Sequence, residues 1–336
     1  MIITKTPFRV TLGGGGTDLP SYYRKNGGFI FAMAIDKFMY VFLNRSTIDN
    51  KVRLHYTKSE EVENSTDLEH DLAREALKYY DIHSSIEISS LADIPAGTGL
   101  GSSSSYLVGL LNAIKSLKKK PIYQSQLAKE ACHIELDILK KGIGKQDQYM
   151  AAYGGLTIMN INKDGKVDIK QMDMDLSDQK KFIDRTHIYY TGYRRGAEEI
   201  LADQNNALLM EVNNEESLIK ENSLNEIKDI GIQIKKALEV KDFDQFGLLL
   251  NQHWINKKKL SKKISFNEID EIYDYTKKYL NVLGGKIIGA GGGGFLMLYC
   301  NSNDEKLEKY MLKVGYKKLT YNISNTGSSI IGNTES

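Results

Sequence analysis

Apolar and aromatic residues dominate three segments near the start of the chain, and such segments are typical of strands. The predicted strands cover residues 29–35, 37–45 and 51–56. Farther along, apolar residues recur three and four positions apart, which is the spacing of one helical face. This spacing predicts helices over 67–80, 102–117 and 124–140. Further apolar or alternating stretches predict strands at 86–89, 156–161 and 186–191.

The second half of the chain has no proline, since all four prolines lie within the first 121 residues. Long uninterrupted helices can form there, and we expect residues 196–281 to be mostly helical. The chain then closes with a predicted strand, helix and strand over 286–300, 304–315 and 316–323. From residue 325 onward we expect a frayed end. The change in composition near 180–195 predicts two domains, 1–185 and 186–330.

Composition and charge exclude several classes of protein. Of the 336 residues, 41% are hydrophobic and 26% are charged, which is typical of a globular chain and not of a disordered or collagen-like one. The net charge of +2 gives no field that would attract nucleic acid, and we interpret the basic run 256–263 as the solvated face of a helix, with Leu260 and Ile264 spaced by four. No apolar run has the length of a signal peptide or a membrane span. The two cysteines, Cys132 and Cys300, are too few for a disulfide framework or a four-ligand zinc site. We therefore expect a cytoplasmic protein that binds neither nucleic acid nor membrane.

Twelve of the 29 glycines are concentrated in three short segments. These segments are TLGGGGTDLP (11–20), PAGTGLGSSSS (95–105) and GAGGGGF (289–295). Glycine runs cost backbone entropy on folding, so each run needs a physical reason. One such reason is close approach of the backbone to a ligand, with N–H groups directed at it.

The middle glycine segment leads directly into four serines and a predicted helix. Free N–H groups, the positive end of a helix dipole and nearby hydroxyls together form an anion site that suits phosphate. The alternative is an N-capping serine after a flexible turn, but a single serine would satisfy that role. A Walker loop is absent, since Gly144-Lys145 and Gly285-Lys286 lack the following Ser or Thr. A G-x-G-x-x-G pattern at 289–294 precedes a predicted strand instead of a helix, which excludes a dinucleotide fold.

Three acidic residues are candidates for chemistry, each with a structural alternative. Glu135 lies on an otherwise apolar helical stripe, where a carboxylate needs a metal or a partner such as Lys140. Asp147 follows a glycine-containing turn and by spacing alone would be a helix cap. Asp18, in the pair Thr17-Asp18 after four glycines, either forms a turn or contacts a ligand.

The three glycine segments, in this order, resemble the three signatures of the GHMP kinase superfamily, and the match spans nearly the whole chain. Within the superfamily, the start PFRVTLGGGGTD (7–18) is most similar to that of bacterial D-glycero-D-manno-heptose 7-phosphate kinases. The resemblance implies an α+β fold of two domains. The N-terminal domain would resemble the second domain of ribosomal protein S5, the C-terminal domain would be ferredoxin-like, and the active site would lie between them.

The same resemblance implies roles for individual residues. Asp147 would be the catalytic base and Arg9 its partner. The residues that would hold ATP are Gly97, Gly99, Leu100, Gly101, Ser102, Ser103 and Ser104. Those that would hold Mg²⁺ are Ser103 and Glu135. Those that would contact the acceptor are Gly15, Gly16, Thr17, Asp18, Gly291, Gly292, Gly293 and Arg195, the last through a phosphate.

The activity implied is ATP-dependent phosphorylation of the anomeric hydroxyl of a sugar. The expected acceptor is D-glycero-D-manno-heptose 7-phosphate, converted to the 1,7-bisphosphate for nucleotide-activated heptose synthesis. Other hexoses, an unphosphorylated heptose, a mevalonate-like alcohol, a decarboxylation and a non-enzymatic sensor are the alternatives, since fold does not fix function. A homodimer is compatible with the resemblance. Lys145, where some relatives carry a short apolar residue, is either a substrate contact or a solvated neighbour.

Overall fold

The computed structural model describes residues 1–193, 200, 215–301 and 305–334. Its first half forms a mixed sheet with helices against it. The strands and helices of this half are β1 (Ile2–Gly13), α1 (Pro20–Asn26), β2 (Gly28–Arg45), β3 (Val52–His55), β4 (Ser59–Val62), a 3₁₀ turn (Ser65–Asp67), α2 (Asp71–Tyr79), β5 (Ile86–Ala92), α3 (Ser102–Leu117), α4 (Gln124–Cys132), a π-helix (His133–Ile138), α5 (Gln146–Tyr153), β6 (Leu156–Ile161), β7 (Val167–Met172) and α6 (Leu176–Arg185).

The second half forms a smaller sheet with its own helices. Its elements are β8 (Thr186–Tyr190), α7 (Glu215–Glu239), α8 (Phe243–Lys258), α9 (Asn267–Tyr279), β9 (Val282–Ile287), β10 (Phe295–Cys300), α10 (Glu305–Lys313), β11 (Lys317–Leu319) and β12 (Ser329–Asn333). The predicted helix-rich character of this half is confirmed in the described residues. Strand β11 is shorter than the predicted 316–323, because only three of those residues pair with β8.

Strand β2 organises the eight-stranded sheet. It pairs antiparallel with β1 along nearly all of its length, while its other edge is shared by β5 over residues 39–45 and β6 over residues 28–33. Strands β3 and β4 extend the β5 side, and β7 extends the β6 side. The apolar, β-branched and aromatic residues of β2 fit its central position in the sheet, since most of the strand is buried. The second sheet is antiparallel, in the order β11–β8–β10–β9. The predicted α+β architecture with two sheets is confirmed.

Residues 329–333 form a strand, so the expected frayed segment from residue 325 is wrong for the residues that the structure describes. Strand β12 pairs antiparallel with the start of β1, and it thereby returns the chain to the first sheet. Asn112 of α3 and Thr6 of β1 also hydrogen bond to Ser328 just before this strand. Polar composition and proximity to the terminus gave no sign of this pairing, because the partner strand lies more than 300 residues away in sequence.

The predicted helix over 124–140 changes its winding near the middle. It is α-helical to Cys132 and then a π-helix, in which the Leu139 N–H donates to the Ile134 carbonyl at 2.9 Å, five residues back. Such wider turns are rare and occur frequently at functional sites. Here the wide turn contains Glu135, whose side chain is fully buried.

The basic run 256–263 is not the solvated face of a helix. Helix α8 ends at Lys258, and Leu260 and Ile264 are buried in the turns that follow it. Lys257 is only 7% exposed. The prediction was wrong because tertiary packing covers this part of the run, which a count of charges does not reveal.

The two halves meet where α7 crosses the end of β1. A Cβ atom built on Gly231 of α7 would lie 2.7 Å from the Gly14 nitrogen, and one built on Gly13 would lie 2.6 Å from the Gly231 Cα atom. Two backbones can approach so closely only where neither residue carries a side chain.

We predict that Gly231→Ala lowers the free energy of unfolding by roughly 1–3 kcal/mol, because the added methyl overpacks this crossing. Alanine has the better helix propensity, by about 1 kcal/mol, so an exposed site would show the opposite sign. The matched control is Gln233→Ala on the exposed face of the same helix, with a change within about 0.5 kcal/mol. Urea unfolding measures both, and a Gly231→Ala protein as stable as the wild type would contradict the close packing.

Candidate active site

The loop of residues 97–104, called the phosphate loop here after its predicted role, leads into α3, whose first N–H groups have no side-chain cap. Gly97, Gly99 and Gly101 all have positive φ angles, of 76°, 84° and 79°. Gly101 is the residue at the N-cap of α3, so the alternative of a capping serine is wrong. These three glycines and Ser102–Ser104 line a cavity of about 310 Å³. The uncapped N–H groups and the helix dipole form the positive end of a helix beside this cavity. Leu100 is buried instead, and its carbonyl accepts the Arg9 N–H.

Arg9 and Asp147 form a bidentate ion pair in the same cavity. Arg9 Nε donates to Asp147 Oδ1 at 2.7 Å, and Arg9 Nη2 donates to Asp147 Oδ2 at 2.9 Å. Arg9 Nη1 donates to the Gly99 carbonyl at 2.5 Å, which ties the pair to the phosphate loop. Arg9 is 5% exposed, whereas the Asp147 side chain is 21% exposed. The arginine is therefore buried behind a carboxylate that faces the cavity.

Glu135 lies behind the start of α3 with three hydrogen-bond donors. Ser103 Oγ donates to its Oε1 at 3.1 Å, Ser104 Oγ donates to its Oε2 at 2.7 Å, and Gln148 Nε2 donates to Oε2 at 2.5 Å. Burial raises the pKa of this carboxyl, and the hydrogen bonds from Ser104 and Gln148 oppose the shift. The ion pair with Lys140 considered from the sequence does not form between these two described residues.

The residues at this position fit a Mg²⁺ ion. A carboxylate and a hydroxyl are the oxygen ligands that this cation prefers, and Ser103 and Glu135 bring them within hydrogen-bond distance of each other. Within the described ranges, no group of three or more His, Cys, Asp or Glu side chains could hold a metal ion. The remaining ligands would have to be phosphate oxygens and water, as is usual for Mg²⁺.

The predicted acceptor wall is present only in part. Gly15, Gly16 and Asp18 line the cavity. Thr17 is fully buried and holds the loop instead, since its hydroxyl contacts the carbonyls of Gly14 and Phe29, each at 2.8 Å. The lining does not contain Gly291, Gly292 or Gly293, and the neighbouring Gly289 and Ala290 line it in their place. Arg195 lies outside the described residues.

Asp18 has an unusual environment for a carboxylate. It is 1% exposed, and its Oδ2 accepts the backbone N–H of Gln146 at 3.0 Å. Gly144 packs directly on it, since a Cβ there would lie 1.9 Å from Asp18 Oδ2. The pKa of Asp18 is raised to about 6, mainly by burial and also by the nearby Asp147, although the Gln146 hydrogen bond and Arg9 lower it.

Lys145 does not contact the cavity. Its Nζ donates to the Gly165 carbonyl at 2.6 Å and lies 5.1 Å from the centre of the Tyr23 ring. Lys145 is therefore held by structural contacts. It matches neither of the two alternatives considered from the sequence, a substrate contact or a solvated neighbour.

Several lining residues were missed by the sequence analysis. Among them are Gln146, His253, Lys257 and Lys286. A signal existed for two of them, because Phe246, Leu250, His253 and Lys257 follow one another at spacings of four, three and four on α8. This stripe pattern is the one that singled out Glu135.

Comparisons with known proteins show the family of the chain. The family model "GHMP kinases N terminal domain" matches residues 69–155 and "GHMP kinases C terminal" matches residues 234–317. Together they match just over half of the chain, which belongs to the GHMP kinase family. The chain is accordingly an enzyme, a kinase, as predicted.

Among its relatives are proteins named for heptose phosphates. The chain is 28% identical over 316 residues to the D-glycero-alpha-D-manno-heptose 7-phosphate kinase of Campylobacter jejuni, and the match covers 89% of each of the two chains. The structure of a D-glycero-D-manno-heptose 1-phosphate kinase from Bacteroides thetaiotaomicron superposes with a TM-score of 0.80 at 22% identity, over 100% of both chains. A putative sugar kinase from Campylobacter jejuni gives a TM-score of 0.75 at 26% identity, over 98% of this chain and 97% of that one.

The helices that the structure describes lack the features of a membrane span. None of them combines the length and the apolar character needed to cross a bilayer.

We predict that Asp18→Asn raises the free energy of unfolding at pH 8 by roughly 2–3 kcal/mol, from a pKa shift of about two units. A carboxyl with a raised native pKa stabilises the fold fully only below its unfolded pKa, near 3.8, and this stability is lost as the pH rises through about 6. The gain from Asp18→Asn should therefore shrink as the pH falls through 6 and vanish below about 4.

Chemical denaturation between pH 4 and pH 8 measures this dependence. The control is Asp168→Asn, which changes an exposed carboxylate outside the site. A constant difference between Asp18→Asn and the wild type across this pH range would contradict the raised pKa.

Proposed function

We propose that the chain transfers the γ-phosphoryl group of ATP to the anomeric hydroxyl of a sugar, and that the sugar is D-glycero-D-manno-heptose 7-phosphate. The product would be the 1,7-bisphosphate, an intermediate for nucleotide-activated heptose. The observation that carries the proposal is the Arg9–Asp147 pair, which lies in one cavity with the start of α3 and with Asp18.

The residues of the cavity have different roles in the proposed phosphoryl transfer. The N–H groups of the 97–104 loop and of α3 hold the nucleotide phosphates. Asp147 accepts the proton of the attacking hydroxyl as its oxygen bonds to the γ-phosphorus, and the bond to the β–γ bridging oxygen breaks, which releases ADP. Arg9 keeps Asp147 ionised and oriented through two hydrogen bonds. Asp18 orients the sugar by accepting hydrogen bonds from its hydroxyls.

Mg²⁺ would be held by Ser103 and Glu135, and when bound it neutralises charge on the phosphates. The buried position of Glu135 keeps that carboxylate fixed, since Gln148 and Ser104 hold one of its oxygens. Among the described residues, the second oxygen accepts a hydrogen bond from the Ser103 hydroxyl, which is able to turn.

The names of the relatives favour a phosphorylated heptose. One is named for heptose 7-phosphate and another for heptose 1-phosphate, so both names join a heptose with a phosphate. A cytoplasmic location is part of this proposal, because ATP is supplied there. The domain boundary at 185 and a homodimer stay predictions.

The acceptor is tested by ADP release from Mg-ATP across a panel of sugars and alcohols. The panel contains sedoheptulose 7-phosphate, D-glycero-D-manno-heptose 7-phosphate, mannose, galactose, fucose and mevalonate. We expect turnover with the heptose 7-phosphate. Turnover with another member of the panel alone would support the kinase activity and contradict the proposed acceptor.

We predict that Asp147→Asn lowers kcat with the preferred acceptor by about 10²–10⁴, because the amide cannot accept the hydroxyl proton. The matched control is Asp137→Asn, an exposed carboxylate 70% accessible on the π-helix, which should keep wild-type kcat. A loss of less than tenfold in Asp147→Asn would mean that Asp147 only positions the acceptor.

We predict that Glu135→Gln raises the Mg²⁺ concentration needed for half-maximal velocity by at least about tenfold, because a neutral amide is a poorer ligand for a hard cation. Fluorescence titration with an ATP analogue supplies the second measurement, since affinity in the absence of Mg²⁺ should not change. An unchanged Mg²⁺ requirement with a lowered kcat would show that Glu135 has only a structural role.

A further inference from the structure

Three basic side chains on one wall of the cavity take no part in the proposed transfer. His253 and Lys257 lie on α8, and Lys286 lies on β9, and all three line the cavity that contains Arg9 and Asp18. All three are buried, although lysine and histidine are usually exposed or paired. Their burial therefore needs a physical reason.

The two lysines have only neutral protein partners. Lys257 Nζ donates to the carbonyls of Ile287 and Gly289, at 2.8 and 2.6 Å, and Lys286 Nζ donates to the Leu12 carbonyl at 2.9 Å. No carboxylate among the described residues forms an ion pair with either of them. Burial and the nearby Arg9 lower the pKa of Lys257 to about 7, and burial with Lys257 and Arg9 lowers that of Lys286. A bound anion would offset the repulsion between Lys257, Lys286 and Arg9.

His253 gives an independent observation. It is 1% exposed, and neither Nδ1 nor Nε2 has a hydrogen-bond partner among the described residues. Leaving a buried polar atom without a partner is unfavourable, and such groups in native structures need an explanation. Because the ring lines the cavity beside two lysines, an anionic ligand would satisfy it.

The position of the wall indicates which anion it would take. Lys286 holds the carbonyl of Leu12, directly before the glycine run that leads to Asp18. Lys257 lies nearer the 97–104 loop, because it donates to the Gly289 carbonyl and Gly289 packs against Gly99. The nucleotide phosphates would already have the N–H groups of that loop and of the α3 N-terminus. The basic wall therefore extends from this loop to the segment before Asp18, where a negatively charged group of the acceptor would lie.

We propose that His253, Lys257 and Lys286 form an anion subsite that binds a phosphate group of the acceptor, so that the enzyme selects a phosphorylated sugar over its neutral counterpart. This proposal rests on the proposed function for the reaction, but it concerns the binding of the second phosphate and not the transfer. Charge-assisted hydrogen bonds contribute enough to account for about a 10- to 100-fold preference.

The test is calorimetric binding to the full chain with a non-hydrolysable ATP analogue at saturation, which blocks the phosphate loop. The probes are D-glycero-D-manno-heptose 7-phosphate, the same heptose without phosphate, and inorganic phosphate. The variants are Lys257→Gln, Lys257→Arg and Lys286→Gln. The matched control is Lys258→Gln, the next residue on α8, which forms an exposed ion pair with Asp270.

We expect Lys257→Gln and Lys286→Gln to weaken binding of the heptose 7-phosphate and of inorganic phosphate by about 10- to 100-fold. Binding of the neutral heptose should not change, Lys257→Arg should retain most of the affinity, and Lys258→Gln should match the wild type. The melting temperature of each variant controls for folding. This pattern would support the subsite.

Other patterns would overturn the subsite. Equal weakening of both sugars in a folded variant would mean that the lysines only shape the cavity. Weakened binding of the ATP analogue alone would place them in the nucleotide site. Wild-type phosphate preference in both Gln variants would exclude them from the subsite.

The outcomes for the two proposals are distinguishable. If phosphate-dependent binding is lost in the variants while the wild type turns over neither heptose, the acceptor is wrong and the subsite stands. If the wild type turns over the heptose 7-phosphate while the variants retain the preference, the function stands and the subsite is wrong.

Discussion

Arg9 is a buried cation that joins three parts of the chain which are far apart in sequence. From β1 its side chain reaches both oxygens of Asp147 at the start of α5 and the carbonyl of Gly99 in the phosphate loop. Removing one partner of such a pair leaves an uncompensated buried charge, which costs several kcal/mol. Asp147, the glycine–serine loop and the first strand are therefore held in one arrangement, and the geometry of the candidate site depends on that of the fold.

Glycine has two physical roles around this arrangement. In the phosphate loop it gives positive φ angles and leaves the backbone N–H groups beside the cavity open. At the seam between the halves it allows backbones to touch, since a Cβ on Gly289 would lie 2.5 Å from the Gly99 carbonyl oxygen, and one on Gly294 would lie 2.3 Å from that of Thr98. The third glycine segment thus has mainly a packing role, and only its first glycine lines the cavity. Close approach to a ligand stays a prediction for Gly15 and Gly16 of the first segment and for the middle segment, which line the cavity, while Gly13 packs against Gly231.

The cavity brings together charged groups from both halves of the chain. Asp18 and Asp147 line it from the first half together with Arg9 and Lys141, and Lys257 and Lys286 line it from the second half. Glu135 lies behind the start of α3. Burial raises the pKa of the acids Asp18 and Glu135 and lowers that of the two lysines. A ligand of suitable charge would therefore stabilise these buried groups. The proposed transfer between two phosphorylated molecules, with a proton to be moved between them, would use groups of both signs.

The sequence by itself determined the motifs whose chemistry is local: the glycine–serine turn that starts α3, the strand-forming stretch of β2 and the buried stripe that contains Glu135. These features depend on residues within about one helical turn or one strand, so periodicity and turn chemistry suffice. The tertiary structure alone decided that β12 pairs with β1, that Gln148 supports Glu135, that Thr17 faces inward and that Lys257 is buried. The physical reason is that burial and partners at these positions are supplied by segments distant in the chain, which no local pattern encodes.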